Sequence, residues 1–401
     1  MSVLVGGWSG TVPAAESVPG GAHGSMRAEI WSDLGSVEAL WRGLESGPGC
    51  LATPYQRFDW VAAFLRGGAA PGALRVLVLR DAGGRPRLLM PLAVTRERGV
   101  RVARVVGATH ANYHLPLFAS REAAAVPTED LLDLLVRAGS SAGIDLYILA
   151  HQPRTWDGAV NPLAVGARRG ANDAYGLMLG PDPEATVRRV FSADARKKLR
   201  AKEKRLAEAV GPLDYRCAGT ADEAEAFLAA FYAQKAVRFA SQGIADPYAQ
   251  MPIRRFLAAA SDPGASAPAM EVHALVARRS GRVLAVFGGA VDAGRFSGMM
   301  TAFDGDPEIA RCSPGDLLLH HLVRDQTARG RRAFDLGVGE ARYKSSICDE
   351  TIELAELVLP VTLRGRLYGL AAAADTGLRA QIKRDPRLWS FARRLRRLGR
   401  N

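Results

Sequence analysis

Lys344 and Tyr343 stand side by side near the end of Ala333-Phe-Asp-Leu-Gly-Val-Gly-Glu-Ala-Arg-Tyr-Lys344, a segment that also holds Asp335 and Glu340. A fixed ammonium stabilises a developing oxyanion, and a phenol can protonate a departing group. Lysine is scarce here: seven occur in 401 residues, four of them within Lys197–Lys204. On residue type alone, Lys344 is either such a cation or a surface lysine. If the backbone around it is extended, Tyr343 and Lys344 point to opposite sides, so one of them faces the chemistry. Asp335 sits in an otherwise apolar strand, where a buried carboxylate needs a partner. It reads as a base or, preferably, as an anchor to an arginine or backbone amides. Glu340 follows in a turn, as a proton acceptor or a solvated turn residue.

A second group is Arg311-Cys-Ser-Pro-Gly-Asp316. Ser313 suits a helix cap, Pro314 the first turn and Gly315 a close backbone approach, so the segment opens a helix whose N-terminus can attract an anion. Asp316 opposes that role. In the first half, His110-Ala-Asn-Tyr-His-Leu-Pro116 offers Asn112, Tyr113 and His114 as substrate contacts. The preceding strand and Pro116 argue for a loop, and no third ligand accompanies the two histidines, so no metal is expected. Asp59 is a cap or an acceptor contact. Arg238 pairs with a carboxylate or phosphate, or is a surface ion-pair residue. His320 and His321 lie mid-helix and face different ways. No dinucleotide fingerprint, GxxxxGK[ST] loop or nucleophile elbow is present.

These groups are positioned by alternating elements. Strands are expected at Arg27–Asp33, Leu74–Arg80, Arg87–Val94, Val100–Val106 and Ile144–Ala150, with helices at Val37–Leu44, Asp59–Leu65 and Glu129–Ala138. His151–Gly170 reads as a linker. A long basic helix, Thr186–Ala209, precedes a similar series: strand Leu213–Ala218, helices Ala221–Ser241 and Ile253–Ala260, a meander Glu271–Arg278, Val283–Val291 and Arg295–Phe303, helix Gly315–Arg329, then strands Ala333–Leu336 and Glu353–Pro360. The repeated order gives an α/β (α+β) chain of two related units. Residues 1–25 read as a disordered leader, 26–178 and 179–377 as the two domains, and 378–401 as a basic helix.

Net charge is +12, with 48% hydrophobic residues, the composition of a folded globular protein. Residues 188–205 contribute a net +7 and residues 379–400 a net +8, so any polyanionic partner would be met there, the alternative for 188–205 being a solvated helix face. In the tail, Leu388, Phe391, Leu395 and Leu398 share one face, suited to an anionic membrane, to polysaccharide synthesis machinery or to the protein's own domain. No stretch is long and apolar enough for a membrane span. Cys50, Cys217, Cys312 and Cys348 are too scattered for a disulfide framework or zinc site, and a cytoplasmic location is expected.

The element order, with Ala333–Lys344, Cys312-Ser-Pro-Gly315, Ser192-Ala-Asp-Ala-Arg-Lys-Lys-Leu-Arg200, Tyr55-Gln-Arg-Phe-Asp-Trp60 and His110–Pro116, resembles the GNAT-like acyltransferases of the CelD (cellulose biosynthesis) and FemAB type. The resemblance spans roughly Met26 to Lys383. It implies two GNAT-like domains, each a mixed sheet flanked by helices, with an activated acyl donor at one domain and a small-molecule or glycan acceptor in the cleft. Acetyl-CoA or another acyl-CoA is the implied donor, because the helical arm of some FemAB proteins is missing; aminoacyl-tRNA is the alternative. The implied acceptor is a cell-surface polysaccharide precursor or other envelope component. Lys344 would polarise the carbonyl, Tyr343 would act as acid, and Arg311 with Ser313–Gly315 would hold pyrophosphate. The usual glycine-rich loop is absent at that position, which keeps a third reading open: a non-catalytic assembly factor.

Overall fold

The computed structural model describes residues 16–18, 26–265 and 268–372, without the side chains of residues 16–18, Arg342, Tyr343 and Ser345. The leader and the tail expected as a basic helix lie otherwise outside the described residues. The fold is mixed α/β, with two large sheets flanked by helices.

Alternating apolar residues such as Val76 and Val78 against Leu77 and Leu79, all buried, make Ala73–Arg80 a strand covered on both faces. It lies within the first sheet, whose order is Glu16–Val18, Arg27–Trp31, Ala73–Arg80, Pro86–Glu97, Val100–Val105, Leu146–Pro153, Leu354–Pro360 and Arg168–Arg169. Leu117–Phe118 adds to Pro86–Glu97. The second sheet runs Leu213–Cys217, Met270–Ala277, Val283–Val291, Arg295–Phe303, Ala333–Val338, Ala174–Met178 and Glu350–Ile352.

The sheets exchange strands. Leu354–Pro360, read from sequence as part of the second series, pairs antiparallel with Leu146–Pro153 of the first sheet. Ala174–Met178 joins the second sheet between Ala333–Val338 and Glu350–Ile352. Local periodicity defines a strand but not its partner, which long-range packing selects.

Two further expectations change. The basic helix is interrupted: Phe191 is extended and Ser192 caps a new helix, Ala193–Val210, by accepting from the Ala195 amide. The linker contains a hairpin, Thr155–Trp156 with Ala159–Val160, turned by left-handed Asp157 and Gly158.

One face of the second sheet carries helices Ala221–Gln242 and Met251–Ala260, whose buried side chains merge with the core of the first half. Trp60 and Phe64 of Phe58–Arg66 meet Phe256 edge-on at 5.1 and 5.0 Å. Gly67 lets these helices touch, since a Cβ there would stand 2.8 Å from the Phe256 amide nitrogen. The other face carries Pro314–Ala328, Pro183–Val190 and Ala193–Val210 over a separate core.

Candidate active site

Arg295–Phe303 and Ala333–Val338 run parallel but pair over only three positions, ending at Ser297 opposite Asp335. Beyond that pair they part. The cause lies in their outer neighbours. Against Val283–Val291 the register moves from Gly289 opposite Gly298 to Gly288 opposite Met300, which leaves Met299 as a bulge. Against Ala174–Met178 it moves from Gly176 opposite Asp335 to Tyr175 opposite Gly337, which leaves Leu336 extra. Gly337 is left-handed at φ +78°, a bend that glycine alone makes freely. Both inner strands therefore turn immediately after their last shared pair.

Asn112 enters this split from the first half. Its Nδ2 donates to the Gly298 carbonyl at 2.8 Å, and Oδ1 accepts from the Val338 amide at 3.4 Å. The side-chain amide thus replaces a missing ladder rung. Nδ2 also reaches the Tyr55 hydroxyl at 2.6 Å, which donates to Ser297 Oγ at 2.9 Å. Burial pushes the Tyr55 phenol up and keeps it protonated. A Cβ at Gly337 would stand 2.9 Å from Asn112 Oδ1, so the wedge requires glycine there. Tyr55 and Gly298 were not anticipated as site residues: Tyr55 stood only within the motif Tyr55–Trp60, and Gly298 only within a strand.

Asp335 anchors the base of the split. Its Oδ1 takes Arg295 Nη1 at 2.5 Å, and both side chains are buried. Burial raises the Asp335 pKa and Arg295 opposes that rise. The guanidinium also stands 3.6 Å from Asp157 and 3.8 Å from Glu350, with Trp156 beneath it at 4.2 Å.

Lys344 is turned onto its own backbone. Its ammonium donates to the carbonyls of Gly337, Val338 and Gly339 at 3.0, 3.2 and 2.9 Å, and the residue is buried. Three donors on three carbonyls leave none for a substrate oxygen, so here Lys344 fastens the strand end. The backbone is the short helix Arg342–Ile347 rather than extended, which removes the expected opposition of Tyr343 and Lys344. The Tyr343 side chain lies outside the described residues. Glu340 is exposed in the turn after Gly339.

At the far end of the open strands, Pro314–Ala328 begins. Ser313 is left-handed at φ +51° and makes no side-chain cap, contrary to expectation; that conformation turns its Oγ to accept from Lys202 Nζ at 2.8 Å. Lys202 also lies 3.7 Å from Asp316, offsetting its charge at this N-terminus. Lys202 was visible in the sequence only as one of four clustered lysines. Pro314 occupies the first turn, and Gly315 lies against Phe303. Arg238 covers the Phe303 ring at 5.7 Å, while Arg311 pairs with Glu308.

Other candidates lie elsewhere. Asp59 is held by Arg42 at 2.6 Å on an outer wall. Tyr113 is buried against Trp156 at 4.8 Å. His114 is buried on the Ala150 carbonyl, and desolvation takes it down to about 3, which makes it a weak base. A cavity of about 770 Å³ between the halves opens at the amino end of Arg295–Phe303, among Arg42, Cys50, Arg57, Trp156 and Asp292. Arg295 lines it but Asn112, Gly298, Met299 and Val338 do not, so cavity and split are two different places. Cys217, Glu271 and His273 converge closely enough to hold a metal, a proximity invisible in spacing. Arg331 already occupies Glu271 at 2.7 Å, and Tyr215 meets His273 Nδ1 at 2.9 Å.

Chemically, a split between bulged strands offers free backbone groups to an extended acyl chain.

Comparison with known proteins bears on this geometry. Residues 193–345 match the family described as acetyltransferase (GNAT) domain, a span that includes both split strands and Lys344. No curated protein matches the chain in sequence. The crystal structure of FemX is similar at 10% identity and a TM-score of 0.57, covering 85% of this chain and 99% of FemX. A conserved protein of unknown function from Bacteroides thetaiotaomicron is similar at 10% identity and a TM-score of 0.51, covering 82% of this chain and 99% of that one. Residues 193–345 are thus similar to a GNAT acetyltransferase domain, set in a two-sheet fold that resembles FemX.

Proposed function

We propose that the protein transfers an acyl group from an activated donor to an amine or hydroxyl acceptor, with the acyl carbonyl seated at the split. The parting of Arg295–Phe303 from Ala333–Val338 at the Met299 bulge carries this reading. The acceptor heteroatom attacks the carbonyl carbon, a tetrahedral oxyanion forms against backbone amides at the bulge, and the leaving group departs as the acceptor loses its proton. Tyr55, protonated and tied to Asn112, holds the apex in place.

For an acyl-CoA donor, the phosphates fall at the N-terminus of Pro314–Ala328, beside Lys202 and Arg238. A second donor, aminoacyl-tRNA, is favoured by the exposed bases Lys197, Lys198, Arg200, Lys204 and Arg205 on Ala193–Val210. The acceptor class carried by the resemblance is a cell-surface polysaccharide precursor or another envelope component. Cys50, Cys217, Cys312 and Cys348 are free thiols, which supports a reducing compartment.

Calorimetric titration with acetyl-CoA and with charged tRNA, each at about 50 and 200 mM salt, tests the reading. Saturable acetyl-CoA binding with a weak salt dependence supports the first donor. Tight tRNA binding that weakens steeply with salt supports the second. Absence of both overturns the proposal in favour of a non-catalytic role.

A further inference from the structure

Residues 363–372 form a helix against the first sheet, with its glycines inward. A Cβ at Gly365 would stand 1.8 Å from the Asp145 carbonyl oxygen, and one at Gly369 would stand 3.2 Å from Val358 Cγ1. That close approach turns Leu363, Leu367 and Leu370 outward at 72, 62 and 63% exposure, on positions i, i+4 and i+7 of one stripe. Three such leucines in a row form an apolar face that no other described residue covers.

The surroundings are basic. Arg364 and Arg366 are exposed on the same helix. Tyr368 donates to Glu97 at 2.7 Å, which brings in Arg104, the ion-pair partner of Glu97, and nearby Arg98. Thr362 and Arg101 both bond to Asp145. Five arginines and two carboxylates thus lie on this helix or beside its seat on the sheet. The sequence beyond residue 372 adds nine bases and two acids. A leucine stripe with exposed arginines on the same helix complements an anionic bilayer, in which apolar side chains enter the acyl boundary and arginines meet headgroup phosphates.

We infer that this face docks the protein on an anionic membrane surface. The inference goes beyond acyl transfer and stands independently of it. The test is flotation of the full chain with vesicles of phosphatidylcholine alone and of phosphatidylcholine with 30% phosphatidylglycerol (about this fraction suffices for a strong surface potential), read without any activity assay. The expected result is binding to the anionic vesicles only, weakening as salt rises. The L363S/L367S/L370S variant is expected to bind at least about tenfold more weakly with an unchanged melting temperature, since all three side chains are exposed. R364Q/R366Q is expected to weaken binding severalfold and flatten the salt dependence. Unchanged binding in both variants, or none by the parent chain, overturns the inference. So does a dimer in sedimentation analysis that the leucine variant loses, since the face would then join two copies.

Discussion

Replacing Lys344 by Met separates fastening from catalysis. The substitution keeps most of the aliphatic volume and removes the ammonium that satisfies the carbonyls of Gly337, Val338 and Gly339. Each orphaned buried acceptor costs about 1–3 kcal/mol, although the half-exposed positions of Val338 and Gly339 admit water and soften two of the three. The net expectation is about 2–4 kcal/mol, a large part of the 5–15 kcal/mol that typically holds a domain together. Urea unfolding reads it as a lower midpoint at constant slope. Turnover, assayed where the variant is still folded, should fall less than about tenfold, because backbone carbonyls take all three ammonium hydrogens. A midpoint equal to the parent's, with turnover down about a thousandfold, would refute this and return Lys344 to the oxyanion.

Three further outcomes follow from the same geometry. Arg295→Met leaves Asp335 buried beside no cation and should destabilise by about 3–5 kcal/mol, whereas R295M/D335L should recover much of that; calorimetric melting checks both. Asn112→Ala removes the bridge between Gly298 and Val338 and should lower turnover about tenfold while costing about 1–2 kcal/mol, checked by kinetics alongside unfolding. Glu45, in the wall of the interdomain cavity, is raised by burial from 4.5 to about 7. The folded state therefore holds a proton there that the unfolded chain has released, so stability should decline by about 2 kcal/mol as pH rises from 4.5 through 7. Glu45→Gln should remove that slope in denaturation across pH.

Much of the second sheet was legible because its strands carry strong local signals. Val283–Val291 and Arg295–Phe303 were placed to the residue, and Pro314–Ala328 to within one. Asp335 stood out as a lone acid in an apolar strand, and it is tied to an arginine. The partner of Leu354–Pro360 was not legible, because the same apolar pattern fits an edge of either sheet. Nor was the fate of Lys344. Whether an ammonium meets substrate or its own backbone depends on the bend at Gly337 and the short helix after it, and neither follows from residue type. The wedge of Asn112 belongs to the same class. A loop in the first half reaches a bulge in the second, 186 positions away from Asn112 in the case of Gly298. Only packing brings them together.

Hydrogen exchange with and without a saturating acyl-CoA probes the central assignment most directly. Protection should rise at Met299–Phe303 and at Gly315–Leu317, where an extended donor would pair with the open strand edge and its phosphates would meet the helix. Protection confined to Arg42–Cys50 and Asp292–Arg295, around the interdomain cavity, would contradict the account and move the donor to the opposite end of the sheet.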